Sequence, residues 1–183
     1  VEIGGKSYTV RVANNTTPTE CNDSNFSQTA CGFVVEFADI VENRLINSTN
    51  TNVGGWPATA MRTYANGDFF NKLPSDLQSV IKSTKVVSGY GWSNSSSNRS
   101  DGNWESEDKI YLLSSHEVWE DGTSNQVSSI DTAWDKTRQL DYYKILGVTT
   151  SNSSETIKKY DNSNSPWWLR VAISDSSGGF LSV

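Results

Sequence analysis

Apolar and polar residues alternate near the start of the chain. The alternating apolar positions are Val1, Ile3, Tyr8, Val10 and Val12. Alternation with a period of two is typical of strands with one buried face, and paired glycines suit a tight turn. We therefore predict a hairpin that turns at Gly4-Gly5 and places these apolar side chains on one face.

Denser apolar runs predict further strands. Residues 33–41 contain several β-branched and aromatic side chains, which favour a central strand. Four shorter runs also have strand character: residues 85–88, 108–113, 167–172 and 180–183. The sheet is therefore expected to begin near residue 33 and to include the C-terminal segment.

Helix signals lie between these runs. Pro57 suits the first turn of a helix that runs to Gly67, and residues 68–73 can continue it as a short helical turn. Ser75 suits the N-cap of a second, shorter helix. The residues from Ser114 to Glu117 match a capping box, which predicts a short helix through Trp119. Apolar spacing over residues 131–146, with Gly147 following, predicts a helix or two linked turns.

Strands at both ends with helices between them predict an α+β fold with a mostly antiparallel sheet. A chain of 183 residues can bury one sizeable core. We predict a single domain over residues 1–183, in which residues 1–32 form an N-terminal hairpin and a disulfide loop.

Charge and hydropathy exclude two classes of partner. The formal net charge is −6 and the sequence pI is about 4.8, so a phosphate backbone would be repelled and nucleic acid is excluded as a partner. No apolar run approaches the roughly 20 residues that span a bilayer, which predicts no direct membrane insertion. Because the chain begins at Val1 without a signal-like segment, we expect a mature product or an excised domain.

The two cysteines, Cys21 and Cys31, bracket a polar segment rich in Asn, Ser and Thr. Nothing nearby has metal-ligand spacing, so we predict a local disulfide. A disulfide would indicate an oxidising compartment. The alternative is two unrelated buried thiols.

Several segments in fixed order carry a family resemblance. They are NTNVGGWPATAMRTY at residues 50–64, LPSDL at 73–77, DKIYLLS at 108–114, EVW at 117–119 and WWLR at 167–170. In this order they resemble a large, uncharacterised family of bacterial surface-protein domains, from about Phe33 to the C-terminus. That family is similar to the formylglycine-generating-enzyme type of C-type-lectin-like fold, which also includes the variable proteins of diversity-generating retroelements.

The resemblance implies a ligand-binding surface after the WWLR strand. In the variable proteins this segment carries variable positions on a rigid scaffold. The implied ligand-binding residues here are Ser174, Asp175, Ser176, Ser177, Phe180 and Ser182. The resemblance further implies an extracellular or cell-surface location and a protein or glycan ligand on another cell or surface.

Two departures from the family pattern affect this expectation. Family members usually have Ser where this chain has Val171, and they usually continue into a closing strand beyond the position of Val183. We therefore expect that the last strands, and with them part of the binding face, are missing from the sequence.

The long polar segment of residues 89–103 supplies a second set of candidates. Tyr90 and Trp92 lie in this segment and Trp104 follows it, and an exposed ring there would offer a stacking face for a glycan or a protein. The alternative is that these rings belong to the core. The core is the simpler assignment for Trp56, Trp119, Trp134, Trp167 and Trp168, which lie in predicted elements.

Candidate catalytic groups are few. His116 is the only histidine and occupies a position inside the capping box, where a solvent-facing helix residue is the simpler interpretation. Glu105, Glu107 and Asp108 resemble a glycosidase pair or a calcium site, although a solvated strand entrance explains them as well. The early cysteines do not match the late reactive pair of formylglycine-generating enzymes. We predict no enzymatic activity, no cofactor and no metal site.

The sequence therefore favours a secreted or cell-surface ligand-binding module, of adhesin or receptor type, with a variable protein of a diversity-generating retroelement as one form. The alternative is a structural spacer domain of a larger surface protein that has no ligand.

Overall fold

A computed structural model describes residues 1–88, 104–119, 136–172 and 179–183. These residues form a mixture of short strands and short helices, which agrees with the predicted α+β class. Within the described ranges no helix is both long and apolar enough to cross a membrane.

The described strands form five antiparallel pairs. The pairs are β1 (Glu2–Ile3) with β2 (Lys6–Ser7), β3 (Val10–Asn14) with β4 (Val34–Phe37), β5 (Thr84–Ser88) with β6 (Trp104–Asp108), β7 (Lys158–Tyr160) with β8 (Ser163–Ser165), and β9 (Trp168–Ala172) with β10 (Phe180–Ser182). The antiparallel prediction is confirmed, but within the described ranges the strands pair in twos and do not form the single sheet that we expected.

The predicted turn at Gly4-Gly5 is present between β1 and β2. Both glycines have positive φ, 59° and 80°, a region that other residues rarely adopt. The predicted face is wrong beyond this turn, because Val10 and Val12 are exposed. On β3 the inward positions are taken by Arg11, which pairs with Glu36 across the ladder, and by the buried Ala13.

Among the described strands, the run at residues 33–41 does not form a central strand. Its regular part is β4, which among the described strands pairs only with β3, and Phe33 and Val35 are exposed. The inward side chain is Glu36, which binds Arg11 Nε at 2.8 Å and Lys158 Nζ at 2.9 Å. These ion pairs, which the apolar pattern does not reveal, decide which face of the strand turns inward.

A nearly continuous helical run follows the glycines at positions 54 and 55. It consists of a 3-10 turn (Trp56–Ala58), α1 (Ala60–Tyr64), a π-helical segment (Ala65–Phe69) and α2 (Phe70–Lys72). Thr59 caps α1 by accepting a hydrogen bond from the Arg62 N–H at 3.0 Å. The π-helical segment carries the chain through Gly67, which agrees with the predicted helical continuation over residues 68–73.

The next helix, α3 (Ser75–Val80), begins where the sequence predicts. Pro74 occupies the N-cap position and Ser75 is the first helical residue, so the predicted cap is displaced by one residue. The predicted strand at residues 85–88 is confirmed as β5.

The strand predicted at residues 108–113 lies earlier in the chain, as β6. Its ladder with β5 ends at the pair of Thr84 and Asp108. The backbone then leaves the ladder because the Asn66 side chain accepts hydrogen bonds from the Lys109 and Ile110 N–H groups, at 2.7 and 3.1 Å.

The capping box at Ser114 is confirmed and begins α4 (Ser115–Val118). The helix predicted over residues 131–146 is reduced, in its described part, to α5 (Asp141–Ile145), and residues 131–135 lie outside the described residues. The hairpin of β7 and β8 was not predicted. It turns at Asp161 and Asn162, which both have positive φ.

Three apolar clusters form the core. The largest joins the N-terminal segment, α4, α5 and the C-terminal strands, and it contains Ala13, Ala30, Leu113, Val118, Trp119, Leu140, Tyr143, Val148, Leu169, Val171 and Leu181. The second surrounds Phe69, Phe70 and Leu73, and the third surrounds Ile46, Ala172 and Phe180. Residues from the N-terminal segment therefore contribute to the same core as the C-terminal strands.

Candidate functional site

The predicted ligand-binding residues divide into two groups. Tyr90, Trp92, Ser174, Asp175, Ser176 and Ser177 lie outside the described residues. Trp104, Phe180 and Ser182 are described.

Phe180 and Ser182 have opposite environments on β10. Phe180 is 5% exposed and packs in the cluster with Ile46 and Ala172, so its side chain belongs to the core and does not face a ligand. Ser182 is exposed, opposite Trp168 in the ladder. The alternation of a strand therefore retains Ser182 as a candidate and removes the Phe180 side chain from the predicted surface.

Trp104, the first residue of β6, is half-buried and lies against Gly55. A Cβ atom at Gly55 would come within 2.6 Å of Cδ1 of the Trp104 ring. Gly55 also has a φ of 58°, which disfavours any side chain. The glycine is therefore required both for the backbone conformation and for the position of the Trp104 ring.

The Asn52–Gly55 turn, which we call the GG turn, contacts both predicted ligand segments at their described ends. The Gly55 N–H donates to the Asn52 carbonyl at 2.9 Å, which closes the turn. The buried Asn52 side chain donates to the Gly179 carbonyl at 3.0 Å. Trp104 follows residues 89–103 in sequence and Gly179 follows residues 173–178. The GG turn therefore brings together the points where these two segments rejoin the described fold.

Asp108 anchors the motif segments next to the GG turn. Its carboxylate, which is almost completely buried, accepts hydrogen bonds from Trp56 Nε1 at 2.9 Å, Arg62 Nε at 2.6 Å and Ser106 Oγ at 2.7 Å. Asn66 Nδ2 adds a fourth contact at 3.3 Å. These contacts connect the helical run to β6, so the GGWPATAMR and DKI segments act together in holding the fold.

A second buried carboxylate, Glu117, anchors the WWLR strand. Arg170 binds it through two parallel bonds, Nη1 to Oε2 at 2.6 Å and Nη2 to Oε1 at 2.7 Å, and both side chains are completely buried. The Ser114 N–H donates to Oε2 at 2.9 Å, and the Thr29 and Thr137 hydroxyls donate to Oε1. The Glu117–Arg170 pair thus joins α4, β9, the disulfide loop and the segment before α5.

The pKa of Glu117 reflects this environment. Burial raises the pKa, but the charge of Arg170 and the hydrogen bonds from Arg170, Thr29 and the Ser114 N–H more than offset that effect, so the net shift is downward. Glu117 is therefore ionised in the folded protein at neutral pH. Its hydrogen bonds connect separate elements of the fold.

The acidic cluster singled out in the sequence is divided by the alternation of β6. Glu105 and Glu107 are exposed, and Asp108 is buried in its own network. Glu105 pairs with Lys85 at 3.0 Å, and Glu107 accepts a hydrogen bond from Ser83. The alternation therefore separates Asp108 from Glu105 and Glu107, which share the exposed face of the strand.

His116 is half-buried on α4, between the two residues that complete the capping box. In the parts of the chain that the structure describes, no group of three or more His, Cys, Asp or Glu side chains is placed to hold a metal ion.

His116 lines a polar hollow that the sequence did not predict. The hollow has a volume of about 390 Å³ and is lined by Glu20, His116, Thr137, Arg138, Gln139 and Lys144. These residues come from four separate parts of the chain and form no motif. No local sequence pattern could have identified the hollow.

The predicted disulfide between Cys21 and Cys31 is present. The loop that it closes contains Thr29, which donates its hydroxyl hydrogen to Glu117, and Ser27, whose N–H donates to the Lys136 carbonyl at 2.6 Å. The disulfide therefore closes a loop that contacts the Glu117–Arg170 pair and the wall of the hollow.

The family comparison identifies most of the chain. The model of DUF6273, a domain of unknown function, matches residues 34–183, and the chain belongs to this family. Neither the curated proteins nor the solved structures contain a match.

Proposed function

We propose that this member of the DUF6273 family is a non-enzymatic ligand-binding module of a secreted or cell-surface protein, with a C-type-lectin-like fold. The ligand, a protein or glycan on another cell or surface, binds around the GG turn and Trp104. A module diversified through a retroelement is one form of this proposal, and a search of the genomic neighbourhood for a reverse transcriptase and a near-duplicate template tests it.

The observation that carries the proposal is the contact of Trp104 and Gly179 with one turn. Trp104 packs on Gly55, and the Asn52 amide holds the Gly179 carbonyl. Each contact lies next to a predicted ligand-binding segment, because Trp104 follows residues 89–103 and Gly179 follows residues 173–178. A shared attachment point supports a common binding surface, since loops held by a rigid scaffold are where binding residues concentrate.

The buried hydrogen-bond networks also support the proposal. Trp56, Asp108, Glu117 and Arg170 belong to the motif segments, and their polar groups are engaged with other residues of the chain. Such residues stiffen a scaffold and offer no reactive group to a substrate. This arrangement favours binding over catalysis.

The disulfide and the α+β organisation agree with the remaining parts of the proposal. Disulfides persist in oxidising environments, which include the cell exterior. Short antiparallel pairs with helices between them, together with the order of the motif segments, support the lectin-like assignment.

Binding screens with a matched pair of variants test the proposal. The chain is screened against glycan arrays and displayed surface proteins, and each hit is measured again with Trp104→Ala and with the control Tyr160→Ala, which removes a half-buried ring from β7. Because central aromatic residues of interfaces contribute about 2 kcal/mol or more, Trp104→Ala should weaken binding by at least about thirtyfold. Tyr160→Ala should leave binding unchanged.

Urea unfolding of both variants separates lost binding from lost structure. Hits that bind Trp104→Ala as tightly as the unchanged chain would contradict the proposed surface. A screen without any hit would favour the alternative, a spacer domain without a ligand.

A further inference from the structure

Hydrogen bonds hold the backbone around the polar hollow beside α4 in place. Its segment from Lys136 to Leu140 is held at several points: the Lys136 carbonyl accepts from the Ser27 N–H at 2.6 Å and the Leu140 N–H donates to the Glu117 carbonyl at 3.0 Å. The Gln139 amide donates to the Val118 and Val148 carbonyls at 2.9 and 2.8 Å. A ligand would therefore enter a site whose backbone is already fixed, which lowers the entropic cost of binding.

Two cations of the hollow have no carboxylate partner among the described residues. Most cationic side chains with a buried or half-buried environment are paired: Arg11, Arg62, Lys85, Lys158 and Arg170 each lie within ion-pair distance of a carboxylate. Within the same described ranges, the half-buried Arg138 forms no such pair, and neither does the exposed Lys144. Both residues line the hollow, whose volume is large enough for a small ligand.

The charge of the hollow indicates the charge of its ligand. Among the described lining residues, Arg138 and Lys144 against Glu20 leave one net positive charge when His116 is neutral. The pKa of Glu20 is lowered, first by its own backbone N–H and more weakly by Arg138, so Glu20 keeps its negative charge at neutral pH. A ligand with a single negative charge therefore matches the hollow, while a dianion would leave an excess of negative charge.

We propose that this hollow is a second binding site, distinct from the GG turn, and that it takes a small ligand with one carboxylate group. Arg138 supplies the planar fork of donors that carboxylates prefer, and Lys144 supplies a second charge. The Thr137 hydroxyl and the Gln139 amide hydrogens are already donated inside the protein, to Glu117 and to two carbonyls. The two cations are thus the groups that recognise the ligand. The volume of about 390 Å³ lies within the range of small-molecule sites.

Titrations with matched probes test this site. Glucuronate and N-acetylglycinate each carry one carboxylate, the first on a sugar and the second on a peptide-like group. Glucose and N-acetylglycinamide are the neutral counterparts. We expect the carboxylates to bind with a dissociation constant on the order of 1 mM, as suits few contacts in an open hollow. The neutral counterparts should bind at least tenfold more weakly.

Amide chemical shifts locate the binding. Shifts during titration should fall on residues 137–144 and on α4, and the signals of the GG turn should stay unchanged. The stronger of the two carboxylate probes then identifies the ligand source as sugar or peptide.

Charge-removing variants complete the test. Arg138→Gln and Lys144→Gln should each weaken carboxylate binding by about tenfold, and Lys82→Gln, which removes an exposed charge outside the hollow lining, should not. Thermal unfolding confirms that all three variants are folded. Equal binding of neutral and charged probes, unchanged binding in Arg138→Gln, or no saturable binding in the millimolar range would each overturn the proposal. Because the GG turn is not involved, these outcomes are independent of the ligand proposed there.

Discussion

Two buried carboxylates hold this fold together, and their arginine partners differ in access to water. Glu117 and Arg170 are both completely buried, and their two parallel bonds lie inside the core. Asp108 is equally buried, but the side chain of its partner Arg62 is 28% exposed. A charge that loses its partner inside a protein remains unsolvated, while one that reaches the surface can be hydrated. The two pairs should therefore respond very differently to the loss of the carboxylate charge.

The largest effect is expected from Glu117→Gln. The substitution keeps the size of the side chain, but Arg170 remains charged and buried with an amide group in place of its counter-ion. We expect a loss of about 3–5 kcal/mol in the free energy of unfolding. Urea unfolding followed by tryptophan fluorescence measures it. Glu105→Gln is the control, because Glu105 is exposed and its pair with Lys85 should contribute less than about 1 kcal/mol.

The matched substitution for the second pair is Asp108→Asn, which keeps the size of the side chain. We expect a smaller loss, about 1–2 kcal/mol, in the free energy of unfolding. The amide oxygen can still accept from Trp56 Nε1, and Arg62 can turn toward water. The same unfolding experiment applies. Equal losses in the Asp108 and Glu117 variants would show that access of the arginine to water does not determine the cost.

The smallest change in stability is expected in mild acid, where Glu117 begins to take up a proton. The folded pKa of Glu117 is lowered, so its contribution to stability is complete above the unfolded value of about 4.3 and is lost as the pH falls toward the folded value. The stability difference between the unchanged chain and Glu117→Gln should be constant above about pH 5 and should narrow below about pH 4. Unfolding at a series of pH values measures it. A difference that widens in acid would contradict the downward pKa shift.

Local signals in the sequence predicted local structure well. The Gly4-Gly5 turn, the capping box at Ser114 and the strands β5, β9 and β10 rest on neighbouring residues, and all are present. The unpredicted hairpin of β7 and β8 also had a local signal, the Asp161-Asn162 pair, because Asp and Asn tolerate positive φ in two-residue turns.

Predictions that depended on distant partners were less accurate. The predicted inward face of β3 was wrong because Arg11 pairs with Glu36 on another strand. The strand predicted at residues 108–113 was displaced because β6 ends at Asp108, where Asn66 binds the following backbone. For the candidate site, Trp104 and Ser182 remain predictions, while the predicted Phe180 has a buried side chain. The contact of Trp104 with Gly55 spans 49 positions of the chain, and no pattern within either segment contains it.

The N-terminal residues have a consequence for how this polypeptide is divided into domains. The family match begins at residue 34, yet β3 supplies the described ladder partner of β4, Arg11 neutralises Glu36, and Thr29 donates to Glu117. A fragment cut at the family boundary would expose the edge of β4, and Glu36 and Glu117 would each lose one hydrogen-bond partner. We therefore expect the independently folding unit of this chain to be wider than its family segment, and an expression boundary belongs upstream of Val10.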